Sequence, residues 1–180
     1  MAFKITATTL FAVFLAYAAE AEGGIDFASM PLGCSWVIQY SNGNVWRETY
    51  FAKEQNAYIT SIRDERNKNP VSQIRYSLDG HMTQRNWANG KWETFAPFSC
   101  FNQVGSCRSR FRNSDGDDFT ILNRTQVSGD TYSVTARIQN GDTFPPEGYR
   151  IGPFGMSIQN WSTNYSSQVT KFENCALPGS

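Results

Sequence analysis

The chain carries a single histidine and no excess of either charge: Lys plus Arg is 16 and Asp plus Glu is 16. Balanced charge gives no global field to attract nucleic acid, so no nucleic-acid partner is expected. The lone histidine, His81, follows Asp79-Gly80 in a turn pattern. It reads as solvated and idle, which leaves a serine nucleophile without a base. G-x-S-x-G, H-E-x-x-H, phosphate-loop and dinucleotide patterns are all missing. C-x-x-C is missing too, which with one histidine disfavours zinc. No catalytic residue, metal ligand or cofactor is assigned on these grounds.

Long apolar runs are absent except at the start, "MAFKITATTLFAVFLAYAAEAEGG". Lys4 precedes an uncharged stretch from Ile5 to Ala19, and small residues then recur as Ala16-Tyr17-Ala18 and Ala19-Glu20-Ala21. A charged start, an apolar middle and an A-x-A site are the pattern of a secretory signal. Residues 1–21 are therefore expected to be removed, leaving 22–180 as one disulfide-bonded β domain that is secreted or periplasmic. The run is shorter than the roughly 20 residues a spanning helix needs, and no second run follows, so no membrane span is expected. "PLGC" ends at Cys34 but has Pro31 where a lipoprotein signal carries a leucine-like residue, which disfavours acylation.

All four cysteines follow the signal, as suits an oxidising compartment. Cys100 and Cys107 enclose a short polar connection, and Cys34 and Cys175 lie near the two ends of the mature part. Of three pairings, 100–107 with 34–175 is favoured.

Turn signals punctuate the rest: "SNGN" at 41, "RNKNP" at 66, "DGH" at 79, "ANGK" at 88, "NSDGDD" at 113, "SGD" at 128 and "NGD" at 140. Between them lie segments rich in Val, Ile, Thr and aromatics, such as "SWVIQY" and "TYSVTARIQ". Short strands at regular spacing predict an all-β fold: an antiparallel meander closing into a single small barrel of about eight to ten strands, with a sandwich as the alternative.

Register can be tested by hand. With Gly129-Asp130 as a two-residue loop, Ser128 faces Thr131 and Val127 faces Tyr132. One face then collects Val127, Tyr132, Val134, Ala136, Ile121 and Ile138, and the other Gln126, Ser133, Arg124, Thr135 and Arg137. The same treatment of "NWANGKWETF", with Asn89-Gly90 as the loop, sets Trp87 opposite Trp92 as an aromatic clasp.

The plan resembles the calycin type of secreted barrel, to which lipocalins belong. The first strand begins Gly33-Cys34-Ser35-Trp36, one residue longer than the lipocalin G-x-W, so no lipocalin binding residue is carried across. "NGDTFPPEGYRIGPFGMS" breaks the turn rhythm and reads as an ordered excursion or lid beside the barrel mouth.

The function expected is an exported module that binds a small, partly apolar ligand. Trp87, Trp92, Tyr149 and Phe154 are its candidate contacts. One alternative is an interaction protein that docks a protein or glycan through an aromatic or arginine-lined face. Arg108, Arg110 and Arg112 alternate in "CRSRFRN" and would share one face of a strand, though a solvated face is the plainer reading. A further alternative is a hydrolase using two of Glu48, Asp64, Glu93 and Glu173. "NSDGDD" reads as a polar turn rather than a calcium loop. Asn123, Asn160 and Asn164 begin glycosylation sequons that matter only in a eukaryote.

Overall fold

The computed structural model describes residues 24–96 and 104–177. These form twelve strands: β1 (Ser35–Tyr40), β2 (Val45–Glu54), β3 (Ala57–Asp64), β4 (Pro70–Tyr76), β5 (Met82–Trp87), β6 (Trp92–Ala96), β7 (Gly105–Asn113), β8 (Asp118–Ser128), β9 (Thr131–Ile138), β10 (Glu147–Ile151), β11 (Ser157–Ser162) and β12 (Tyr165–Glu173). Each pairs antiparallel with its sequence neighbours, and β1 pairs with β12 to close the barrel. Closure leaves no sheet edge to template aggregation. No helix among the described residues is long and apolar enough to cross a membrane. The expected signal, residues 1–21, lies outside the described residues.

The strand count exceeds the expected eight to ten for two local reasons. β10 lies inside the Pro/Gly segment, between Pro146 and Pro153, where the prolines mask it. That segment is therefore not a single lid but a strand running between the two ends of the barrel. β11 and β12 are joined by a two-residue turn, with Ser162 opposite Tyr165, and this turn contains no glycine to announce it.

The β8–β9 register is the one read by hand: Ser128 opposite Thr131 and Val127 opposite Tyr132. The β5–β6 hairpin differs. The Trp87 amide donates to the Lys91 carbonyl at 2.8 Å and the Gly90 amide to the Trp87 carbonyl at 3.0 Å. Gly90 has φ 85°, so it takes the left-handed position of a three-residue loop. Trp92 then pairs with Asn86, not Trp87. A one-residue slip turns a side chain to the other face of the sheet. Trp87 consequently points inward, half-buried, while Trp92 is outside and 38% exposed. No aromatic clasp forms.

One end of the barrel is covered by the segment before β1. The Ile25 amide donates to the Gly80 carbonyl at 3.1 Å and the Asp26 amide to the Phe154 carbonyl at 2.8 Å. Phe27 inserts among Tyr76, Tyr58 and Tyr50, with ring centroids 4.8, 5.0 and 5.1 Å away. The backbones meet so closely that a Cβ on Gly80 would lie 2.1 Å from the Ile25 carbonyl oxygen, at a residue with φ 81°. His81 sits in this turn and is only 8% exposed, so it is buried rather than solvated as its turn position had implied. The cause is the segment packed over it, which no local pattern announces.

A disulfide joins Cys34, just before β1, to Cys175, just after β12, across the seam of the barrel. Such bonds persist in oxidising compartments. Cys107 is also disulfide-bonded. Its expected partner, Cys100, lies outside the described residues.

Candidate functional site

Strand alternation sends Trp36, Ile38 and Tyr40 of β1 into the barrel, and Glu48 of β2 with them. A carboxylate 1% exposed must find partners. The Thr60 hydroxyl donates to Glu48 Oε1 at 2.6 Å and the Tyr76 hydroxyl at 3.1 Å. Burial pushes the Glu48 carboxyl above its ordinary range, while the Thr60 bond, the Arg85 charge and the Tyr76 bond pull it back. Arg85 of β5 is fully buried. Its Nε donates to Ser72 Oγ at 3.1 Å, and its guanidinium carbon lies 4.1 Å from the centre of the Trp87 ring. Glu93, 2% exposed, is its register partner on β6. The barrel interior thus carries a belt of Glu48, Arg85 and Glu93 among hydroxyls.

Aromatic rings flank this belt. Tyr40 lies 4.7 Å from Trp46 and 5.5 Å from Tyr165, centroid to centroid. Burial raises the phenol pKa of both Tyr40 and Tyr165, so both stay protonated donors. The half-buried rings Trp46, Trp87, Phe119 and Tyr165 all lie near the end opposite the Phe27 plug. That end is formed by the turns after β1, β3, β5, β7, β9 and β11.

The inner faces of β7 to β12 are polar as well. Asn123 Nδ2 donates to Ser109 Oγ at 3.2 Å, Ser157 Oγ to Asn160 Oδ1 at 2.8 Å, and Asn160 Nδ2 to Ser167 Oγ at 3.3 Å. Asn123 is buried here, so its sequon is not available for glycosylation. Glu147 shares this wall, opposite Val134 and Ser162. Desolvation pushes its carboxyl up to about 7.

The expected contacts are scattered. Trp87 joins the belt. Tyr149 is buried and stacked on Tyr132 at 4.9 Å with the planes 8° apart. Phe154 belongs to the covered end and Trp92 to the outer surface. Of the four candidate carboxylates, Glu48 and Glu93 are interior. Asp64 instead accepts the Arg66 and Asn67 amides at 2.8 and 3.1 Å in an exposed turn. Glu173 binds Arg47 at 2.5 Å on the outer wall, and Arg47 also holds Glu65 at 2.9 Å. In "NSDGDD", Asn113 Oδ1 accepts the Asp115 and Asp117 amides, both at 3.0 Å, as an ordinary polar turn does. No group of three or more His, Cys, Asp or Glu among the described residues is placed to hold a metal.

Arg85 gave no sequence signal. "MTQRNW" reads as a polar strand, and a charge within it reads as outward. The β4–β5 register shifts beside Tyr76, which pairs with Met82 while Arg75 pairs with Gln84. This bulge changes the alternation phase, so Met82 and Arg85 both face inward despite their odd spacing.

These groups set a pH dependence. Glu147 has a folded pKa above its unfolded value, so its contribution is intact below about pH 4.5 and is lost as pH rises through about 7. Glu48 acts in the same direction. Glu65 and Glu173, held down to about 2 chiefly by hydrogen bonds from Arg47, act oppositely and lose their contribution as pH falls below about 4.5 towards 2. Stability is expected to peak on the acid side of neutrality. Glu147 keeps partial exposure, which discounts its share to about 2 kcal/mol. Urea unfolding of Glu147→Gln is expected to show that gain at pH 7.5 and almost none at pH 4.5.

No protein-family model matches this chain, and no curated protein or solved structure matches it.

Proposed function

We propose that the chain is an exported module that holds a small, partly apolar molecule inside the barrel. The observation that carries this reading is the buried belt of Glu48, Arg85 and Glu93 within a wall of twelve strands. Barrel diameter grows with strand number, and about eight strands already enclose a space that side chains fill. Buried charges weaken a fold compared with apolar residues of similar volume, so their retention here is assigned to recognition. The polar group of the ligand meets Glu48, Arg85 and the Tyr40 and Tyr165 hydroxyls. Its apolar part lies against Trp46 and Trp87, at the end away from Phe27. Export rests on the apolar start of the chain and on the disulfide.

The test is native mass spectrometry of the oxidised, exported protein, repeated after denaturation and solvent extraction. A stoichiometric small molecule released only on unfolding is the expected result. Glu48→Gln is expected to lower its occupancy. An apo mass, together with no thermal stabilisation by a panel of small amphiphiles, overturns the reading. A hydrolase remains the second reading because Glu48 and Glu93 are both interior. Turnover of the extracted molecule, lost in Glu93→Gln, would favour it.

A further inference from the structure

A second feature lies outside the barrel and is independent of the interior. Arg108 of β7 stands beside Leu122 of β8, and Leu122 beside Arg137 of β9. Arg124, two residues further along β8, stands beside Ser106 and Thr135 on the same face. Thr143, bridged to Arg137, extends the row. These side chains border an open groove of about 560 Å³.

The three arginines are exposed, and none forms an ion pair with an acid among the described residues. Their neighbours differ. Arg110 and Arg112, on the same strand as Arg108, hold Asp118 at 2.6 and 3.3 Å, and Arg150 holds Asp130 at 3.6 Å. Asp118 and Asp130 are therefore committed elsewhere. Diagonal neighbours in a sheet lie about 7–8 Å apart, and residues two strands apart about 10 Å apart, so the three guanidinium groups share one patch, with no ion-pair partner among the described residues. Like charges so placed repel, and the fold gains nothing from gathering them.

We propose that this groove binds an acidic oligosaccharide, with Arg108, Arg124 and Arg137 meeting successive anionic groups of the chain. Guanidinium forks suit carboxylate and sulfate, and the hydroxyls of Ser106, Thr135 and Thr143 between them suit a hydroxyl-rich backbone. Single-stranded nucleic acid fits less well, because no aromatic ring among the described residues lines the groove to stack a base. An acidic peptide fits less well, because among the described residues Leu122 is the one large apolar side chain in the groove and none is aromatic.

The test is calorimetric titration with galacturonate hexamer and sulfated dextran oligomer, against neutral dextran, at low and physiological salt. At least one acidic probe is expected to bind, neutral dextran not to bind, and salt to weaken the affinity. The triple variant R108Q/R124Q/R137Q is expected to lose about tenfold or more in affinity, and R112Q less than about twofold. All substitutions are on an exposed strand face, and an unchanged melting temperature confirms the fold of each. Failure of both acidic probes to bind at low salt overturns the proposal, as does unchanged affinity in the triple variant. Equal or tighter binding of a single-stranded oligonucleotide or a poly-glutamate peptide, lost in the same variant, overturns the glycan assignment.

Discussion

Replacing Cys34 and Cys175 together by alanine is expected to lower unfolding free energy by about 4–5 kcal/mol, because the bridge closes nearly the whole domain. The two residues are 141 apart in sequence, so the open chain regains a large loop entropy on unfolding. For a domain of this size the melting temperature should fall by roughly 10–20 °C. The position of the bridge adds a second reason. It sits at the β1–β12 seam, the one pair of neighbouring strands in the barrel that do not follow each other in the chain. Locally, the Arg47 contacts to Glu173 and Ser35, the Thr170 hydroxyl on the Val37 carbonyl and the Tyr40–Tyr165 ring contact brace this seam besides the ladder itself. Hydrogen exchange should therefore show β1 and β12 losing protection before β3 and β4. Uniform loss across the barrel would show that the bridge acts on the unfolded chain alone.

The second large effect is expected at Arg85. Arg85→Ala removes a cation that is fully buried, borders Glu93 in register and interacts with the Glu48 charge. It leaves carboxylates in the interior with less compensation, at a cost of about 3–5 kcal/mol. The loss should be smaller in acid, where those carboxylates take up protons. The double variant Arg85→Met with Glu48→Gln should recover part of the loss, since one of the two interior carboxylates is then neutral and only Glu93 keeps its charge beside the lost cation. Denaturant midpoints at pH 5 and pH 7.5 for wild type, single and double variants decide the matter. If the single variant costs under about 1 kcal/mol at both pH values, the belt is not an electrostatic unit.

Much of the barrel was legible in the residues, and the reasons are local. Gly129-Asp130 allows one short loop, so the β8–β9 register and its two faces follow directly from alternation. In "VWRETYFA", Glu48 shares its parity with Trp46 and Tyr50, but parity alone does not separate it from Asp64, Glu93 and Glu173. Asn89-Gly90 is different. The same pair serves a two-residue loop or ends a three-residue one, and the choice reverses the faces of Trp87 and Trp92. In the fold the three-residue loop is the one that sets Trp87 inward against Arg85. β10 was hidden because prolines bracket it, and β12 because its turn contains no glycine.

Composition, period-two alternation and turn chemistry determine an all-β meander, because each of these is a property of a few adjacent residues. Closure of twelve strands, burial of Arg85 beside Glu93, and the gathering of Arg108, Arg124 and Arg137 around Leu122 arise only once distant strands are neighbours. Bulges required by the curved wall shift the alternation phase. A polar residue's own surroundings in the chain do not say whether its strand has undergone that shift.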